Sequence, residues 1–209
     1  MRKLGIAGAV ALFLSGPAMA GNAPSSQSEN SHPIEAQEGK AVENGAAFMD
    51  EAELRGAIGQ MIIVGFEGSS ITDPRFRKLQ EKVRLGQVSG VLYLQRTIIS
   101  QASVAAMNDA LQKVAPAPVI IAIDQEGGAI QRIPDGMDFP RVPSASTVAS
   151  KLTLQKAYQA YSILASNLRL WGFNLNLGPV ADLNVNPANP SIGKLGRSFS
   201  ANPETVVHY

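Results

Sequence analysis

The 209-residue sequence contains no cysteine. Disulfides, thiolate nucleophiles and cysteine-ligated zinc are therefore excluded, and so is lipid attachment at a cysteine following a leader. Histidine occurs only as His32 and His208, near opposite ends of the chain. A histidine metal cluster or a Ser-His-Asp triad has almost no material to work with. Charge is also scarce: 17% of residues are Asp, Glu, Lys or Arg, and the formal net charge is +1. That balance gives no electrostatic reason to expect a nucleic-acid partner. The apolar run Leu4–Leu14 is shorter than the roughly 20 residues that a bilayer span requires. Several motifs are missing too. There is no G-x-x-x-x-G-K-[ST], H-E-x-x-H or G-x-S-x-G, and Gly127-Gly128 is not part of a G-x-G-x-x-G opening a helix. No cofactor and no metal are implied.

What is present is a globular balance, 45% hydrophobic, in a length suited to one domain. Arg2 and Lys3 precede the apolar Leu4–Leu14, and Ser15–Ala20 carry a Gly-Pro break and end in Ala18-Met19-Ala20. This is the order of an export leader, residues 1–20, cleaved after Ala20; an uncleaved membrane anchor is the alternative reading. Cleavage leaves 16 basic residues against 17 acidic ones, a charge near −1. The chain is expected to be exported, periplasmic or secreted, with no stable membrane span after cleavage. Residues 21–45 are rich in Ser, Asn, Gln, Gly and Pro and read as a flexible linker in which His32, ahead of Pro33, is solvated.

The folded part is expected over residues 46–209, where strand and helix signals alternate. "GQMIIVGF" (Gly59–Phe66) reads as a strand covered on both faces, "SGVLYL" (Ser89–Leu94) as a second, "APVIIAID" (Ala117–Asp124) as a third and "FNLNLGPVADL" (Phe173–Leu183) as a fourth. Asp73-Pro74 opens a helix ending at Gly86, and Ser100 caps one running to Val114. After an irregular stretch rich in Gly and Pro, Thr153–Gly172 reads as a helix with Tyr158, Tyr161, Leu164, Leu168 and Trp171 on a core-facing stripe. "NPETVVHY" opens a further helix. Such alternation argues for an α/β fold with a parallel sheet, closed either as a doubly wound sheet or as a (β/α)8 barrel, of which four strands are half.

The polar residues cluster just past strand ends. The third strand runs into Asp124-Gln125-Glu126-Gly127-Gly128, with Arg132 close behind. An aspartate beside an arginine stays ionised and accepts two hydroxyl hydrogen bonds, which suits a polyhydroxylated ligand; a structural bridge tying a loop to the sheet fits the spacing equally well. Glu126 reads either as a general acid or as a carboxylate that buttresses its loop. Asp182 ends the fourth strand, and Arg197 in the Gly/Ser-rich loop beyond it could bind an anion or a hydroxyl, or tether the loop. Asn184, Asn186 and Asn189, with Pro187 and Pro190, are mostly turn formers.

"IDQEGGAIQRI" followed by "GPVADLNVNPANPSIGKLGRSFS" resembles the N-terminal barrel domain of glycoside hydrolase family 3, over about Leu54 to Tyr209. "IGQMIIVGFEG" and "VSGVLYLQRTIIS" are similar to its short single-barrel β-N-acetylhexosaminidases rather than to its longer two-domain β-glucosidases. The resemblance implies the N-terminal half of a (β/α)8 TIM barrel and a retaining mechanism with a carboxylate nucleophile. It also implies a histidine acid/base on a mobile loop. It implies a partner too, an oligosaccharide with terminal N-acetylglucosamine, from peptidoglycan fragments or chitin oligomers. By position, Asp124, Arg132 and Arg197 match residues that bind that sugar, and Glu126 and Asp182 would support them from behind. A β-glucosidase or β-xylosidase of the family, or a non-catalytic saccharide-binding fragment, are the alternatives. The family's Lys-His-Phe-Pro-Gly-His-Gly segment and its later nucleophilic aspartate have no counterpart through Tyr209. The chain is thus expected to stop short of the catalytic residues and to be inactive alone.

Overall fold

The computed structural model describes residues 49–209, so the expected leader and linker, residues 1–45, lie outside the described residues. No helix among the described residues is long and apolar enough to cross a membrane.

Asp50 accepts a hydrogen bond from the Glu53 amide at 2.8 Å, and the Glu53 carboxylate accepts one from the Asp50 amide at 3.0 Å. This reciprocal cap starts α1 (Glu51–Gly59), a helix not expected from the sequence. It claims Gly59, so the run expected as a strand over Gly59–Phe66 is extended only as β1 (Ile63–Gly65). Nor is that run covered on both faces: Met61 is 84% exposed. The end of α1 is fixed by contact, because a Cβ on Gly59 would lie 2.0 Å from the Gly86 carbonyl oxygen.

The next two helices follow their caps. Asp73 accepts from the Arg75 amide at 2.9 Å and Pro74 takes the first position of α2 (Pro74–Arg84), with Gly86 at φ +65° just past its end. Ser100 accepts from the Ser103 amide and starts α3 (Gln101–Val114). Between and after them lie β2 (Gly90–Tyr93) and β3 (Ile120–Ile123). The stretch beyond β3 is not wholly irregular, since Ser144 caps a short α4 (Ala145–Lys151). In α5 (Leu154–Leu170), Ala157, Leu164 and Leu168 are buried, with Trp171 just past the end. Tyr158, expected on that stripe, is 75% exposed. The buried positions advance by alternating steps of four and three from Ala157 through Tyr161, so Tyr158 stands about 100° from the middle of that arc. A last helix, α6 (Pro203–His208), is capped by Asn202.

The fourth strand is β4 (Leu175–Asn176), far shorter than the expected Phe173–Leu183, since Pro179 has no amide with which to extend a ladder. It is lengthened by side chains acting as peptide groups. Asn174 accepts from the Ile121 amide at 2.7 Å and donates to the Val119 carbonyl at 2.8 Å, and Asn176 accepts from the Gln125 amide at 3.0 Å and donates to the Gln125 carbonyl at 3.1 Å.

All four strands are parallel, in the order β1-β2-β3-β4. Strand order that follows chain order fits part of a (β/α)8 barrel, whereas a doubly wound sheet reverses. Val91, Tyr93, Ile121 and Ile123 are buried on the helix-covered face, against Phe76, Leu79, Val104, Met107 and Leu111 of α2 and α3. Phe66, Tyr93 and Phe173 meet edge to face at 4.9 and 5.2 Å between centroids. Leu92 and Ala122 have the opposite parity, and Asp124 continues it just past the C-terminal end of β3.

Candidate saccharide site at the C-terminal rim of the sheet

The loop after β3 turns back at once. Ile130 accepts from the amides of Glu126 and Gly127 at 3.0 and 3.1 Å, and returns its own amide to the Gly127 carbonyl at 3.1 Å. Gly127 sits at φ +106°, where a Cβ would come within 2.7 Å of the carbonyl oxygens of both Val142 and Pro143. Only glycine fits, and the turn can therefore lie flat against the segment that leads into α4.

That turn delivers Arg132 to Asp124. The guanidinium meets the carboxylate in a two-point pair, Nε to Oδ1 at 2.6 Å with Nη2 on Oδ2. Their side chains are 29% and 22% exposed, so the pair is anchored yet still faces solvent. The Asp124 hydrogen bond pushes the Arg132 pKa above its ordinary value; burial opposes it, and the Asp124 charge adds a smaller push upward.

The second loop is built from turns. Asn186 accepts from the Ala188 amide, and Asn189 from the amides of Ser191 and Ile192, as expected for turn formers. The Ile192 carbonyl then accepts from the Arg197 amide, and Ser198 Oγ donates to the Asp182 carbonyl at 2.5 Å. Gly196 accepts from the Ser146 amide at the start of α4, which carries Arg197 over the first loop. Arg197 Nε and Nη2 meet the Glu126 carboxylate at 2.9 and 2.7 Å, and Nη1 donates to the Ser191 carbonyl. The Glu126 side chain is only 7% exposed, against 24% for Arg197. The Arg197 pKa is raised mainly by the Glu126 hydrogen bond, then by the charges of Glu126, Asp124 and Asp182.

Asp124, Glu126, Arg132 and Arg197 thus share one rim as two adjacent carboxylate–guanidinium pairs, and charges of each pair act on the arginine of the other. Asp182 differs: its side chain is exposed, its charge acts on Arg197, and its carbonyl oxygen accepts from Ser198. Sequence reasoning left Glu126 open between two roles and did not single out its partner Arg197 as that partner. It placed Tyr161 on the core-facing stripe and gave it no part in the site; among the described residues its buried hydroxyl has no partner, and its pKa is pushed up to about 12 by burial first and the Glu126 charge second. A lone tyrosine in an amphipathic helix carries no signal of such a neighbour. Among the described residues no group of three or more His, Cys, Asp or Glu could hold a metal ion.

Comparison with known proteins places the chain in a wider group. The family model described as glycosyl hydrolase family 3 N terminal domain matches residues 53–209. A beta-hexosaminidase of Xylella fastidiosa (strain M23) is 29% identical over 155 residues, spanning 71% of this chain and 43% of the relative. One from Stenotrophomonas maltophilia (strain R551-3) is 30% identical with the same coverage. The chain spans less than half the length of these curated relatives. Among solved structures, a family 3 beta-N-acetylglucosaminidase from Paenibacillus sp. str. FPU-7 superposes with a TM-score of 0.66 at 33% identity, covering 74% of this chain and 29% of that one. A beta-N-acetylhexosaminidase from Beutenbergia cavernae gives 0.59 at 25% identity, covering 74% and 47%. With this match over most of its length, the chain belongs to glycoside hydrolase family 3, whose N-terminal domain it carries.

Proposed function

We propose that the chain forms the sugar-recognition part of a retaining β-N-acetylhexosaminidase, exported to the periplasm or beyond, that takes terminal N-acetylglucosamine from peptidoglycan or chitin fragments. The observation that carries this reading is the difference in exposure across the two pairs. Asp124, Arg132 and Arg197 are each 22–29% exposed and keep unused hydrogen-bonding capacity, while Glu126 at 7% is spent on Arg197. Three groups are thereby presented to a ligand and the fourth holds one of them in place. Carboxylate and guanidinium side by side accept from and donate to neighbouring hydroxyls, the pattern a pyranose ring offers. The relatives named beta-hexosaminidase and beta-N-acetylglucosaminidase support the choice of N-acetylglucosamine over glucose or xylose.

Glu126 has both oxygens on Arg197 and is not free to act as a general acid. Among the described residues none is assigned as nucleophile or acid/base, and those of the rim are assigned to sugar recognition. Titration with N-acetylglucosamine and with glucose tests the reading. N-acetylglucosamine should bind more tightly, and Asp124→Ala should weaken it at least about tenfold, since a hydrogen bond to a charged group is worth roughly 1.5–3 kcal/mol. Glucosaminide turnover abolished by Glu126→Gln or Asp182→Asn would refute the assignment of those carboxylates to support.

A further inference from the structure

Gln125 lies between the two carboxylates that hold the arginines and has no role in the reading above. It is 1% exposed, and every polar group it owns is engaged. Its backbone amide and carbonyl are both taken by the Asn176 side chain, at 3.0 and 3.1 Å. Its Oε1 accepts from two successive amides of the returning loop, Arg132 at 2.7 Å and Ile133 at 3.2 Å. Its Nε2 makes only a long 3.4 Å contact to Gln131 Oε1. One residue thus joins β3, β4 and the loop that carries Arg132.

We propose that Gln125, held by Asn176, is the positioning residue that sets Arg132 against Asp124. Arg132 is eight residues beyond Asp124, and the Gly127–Ile130 turn ends before reaching it. From Gln131 onward, the hydrogen bonds that bring the backbone back to the end of β3 come from Gln125 Oε1. An arginine has four side-chain torsions, so a two-point pair with a carboxylate needs its Cα held at a fixed distance. The acceptor oxygen is what holds both amides, and the donor makes only the 3.4 Å contact. Methionine would keep the volume and remove the acceptor. Arg197 is held by separate means, through Glu126, Ser191 and the Ile192 carbonyl, and serves as an internal control.

The sugar-binding consequence rests on the function proposed above; the geometric one does not. In nitrogen-15 spectra of the 209-residue chain, the Nε–H groups of Arg132 and Arg197 should both be protected from exchange by their carboxylates. Gln125→Met should lose the Arg132 signal and keep that of Arg197, and weaken N-acetylglucosamine binding about tenfold, the loss of one hydrogen bond made by a charged group. Asn176→Leu should act like Gln125→Met. An Arg132 signal that survives Gln125→Met overturns the proposal. So does simultaneous loss of both signals, which would mark Gln125 as a general packing residue. If the wild-type chain shows both signals but binds no N-acetylglucosamine, the functional reading fails, and the spectra still decide the role of Gln125.

Discussion

The Glu126–Arg197 pair joins residues 71 apart in the sequence, and removing either partner should not cost the same. Glu126→Gln leaves Arg197 without its counter-charge, but Arg197 is 24% exposed and still has the Ser191 carbonyl. Breaking a buried pair costs roughly 3–5 kcal/mol, and that exposure brings the expectation down to about 2 kcal/mol. Arg197→Met strands a carboxylate that is 7% exposed, so the full 3–5 kcal/mol range, about twice as much, applies at neutral pH. Urea unfolding at neutral pH measures both, and a change of 2 kcal/mol is about 4–8 °C in Tm at this chain length. Equal losses would show that water screens the pair and that Glu126 is not a buried anchor.

Further outcomes are expected elsewhere in the chain. Gly127→Ala should destabilise the protein and disturb the Asp124–Arg132 pair, because its Cβ would press on two carbonyl oxygens at a backbone angle that L-residues rarely adopt; wild-type stability and sugar binding would contradict this. The Arg75 hydrogen bonds hold the Asp73 carboxyl at about 2, so its cap should persist down to about pH 4 and be lost as pH falls through 2. Asp73→Asn should remove that part of the acid sensitivity, as followed by helical circular dichroism. Mass spectrometry of the processed protein should find Gly21 as the first residue, and an intact Met1 would refute export with cleavage.

Much of the architecture was legible because it is written locally. Asp73-Pro74 and Ser100 announce their helices through short-range hydrogen bonds, and the apolar run before Asp124 announces a buried strand. Errors arose where a local pattern had two readings. "IGQMIIVGF" is apolar throughout, and composition alone could not show that the Asp50–Glu53 box and the Gly59–Gly86 contact give its first residues to a helix. A helical stripe can be drawn through Tyr158 or through Ala157, and burial in the core decides for the smaller residue. For the site, strand parity places Asp124, but the partnership of Glu126 with Arg197 spans two loops and has no short-range signature.

The asparagines of β4 carry a consequence for folding fidelity. An ordinary ladder is blind to side-chain identity, so a parallel strand can slide along its neighbour and still find partners for its amides. Here four of the bonds between β3 and the last strand come from Asn174 and Asn176. A slip of one residue would bring aromatic or aliphatic neighbours to those places and lose all four; a slip of two would keep at most one asparagine in place. The strand therefore carries its own proofreading: two amides, spaced by the pleat, accept one alignment and reject the rest. A misaligned fourth strand would leave Gln125 unclamped, so correct pairing and correct presentation of Arg132 are tested by the same hydrogen bonds.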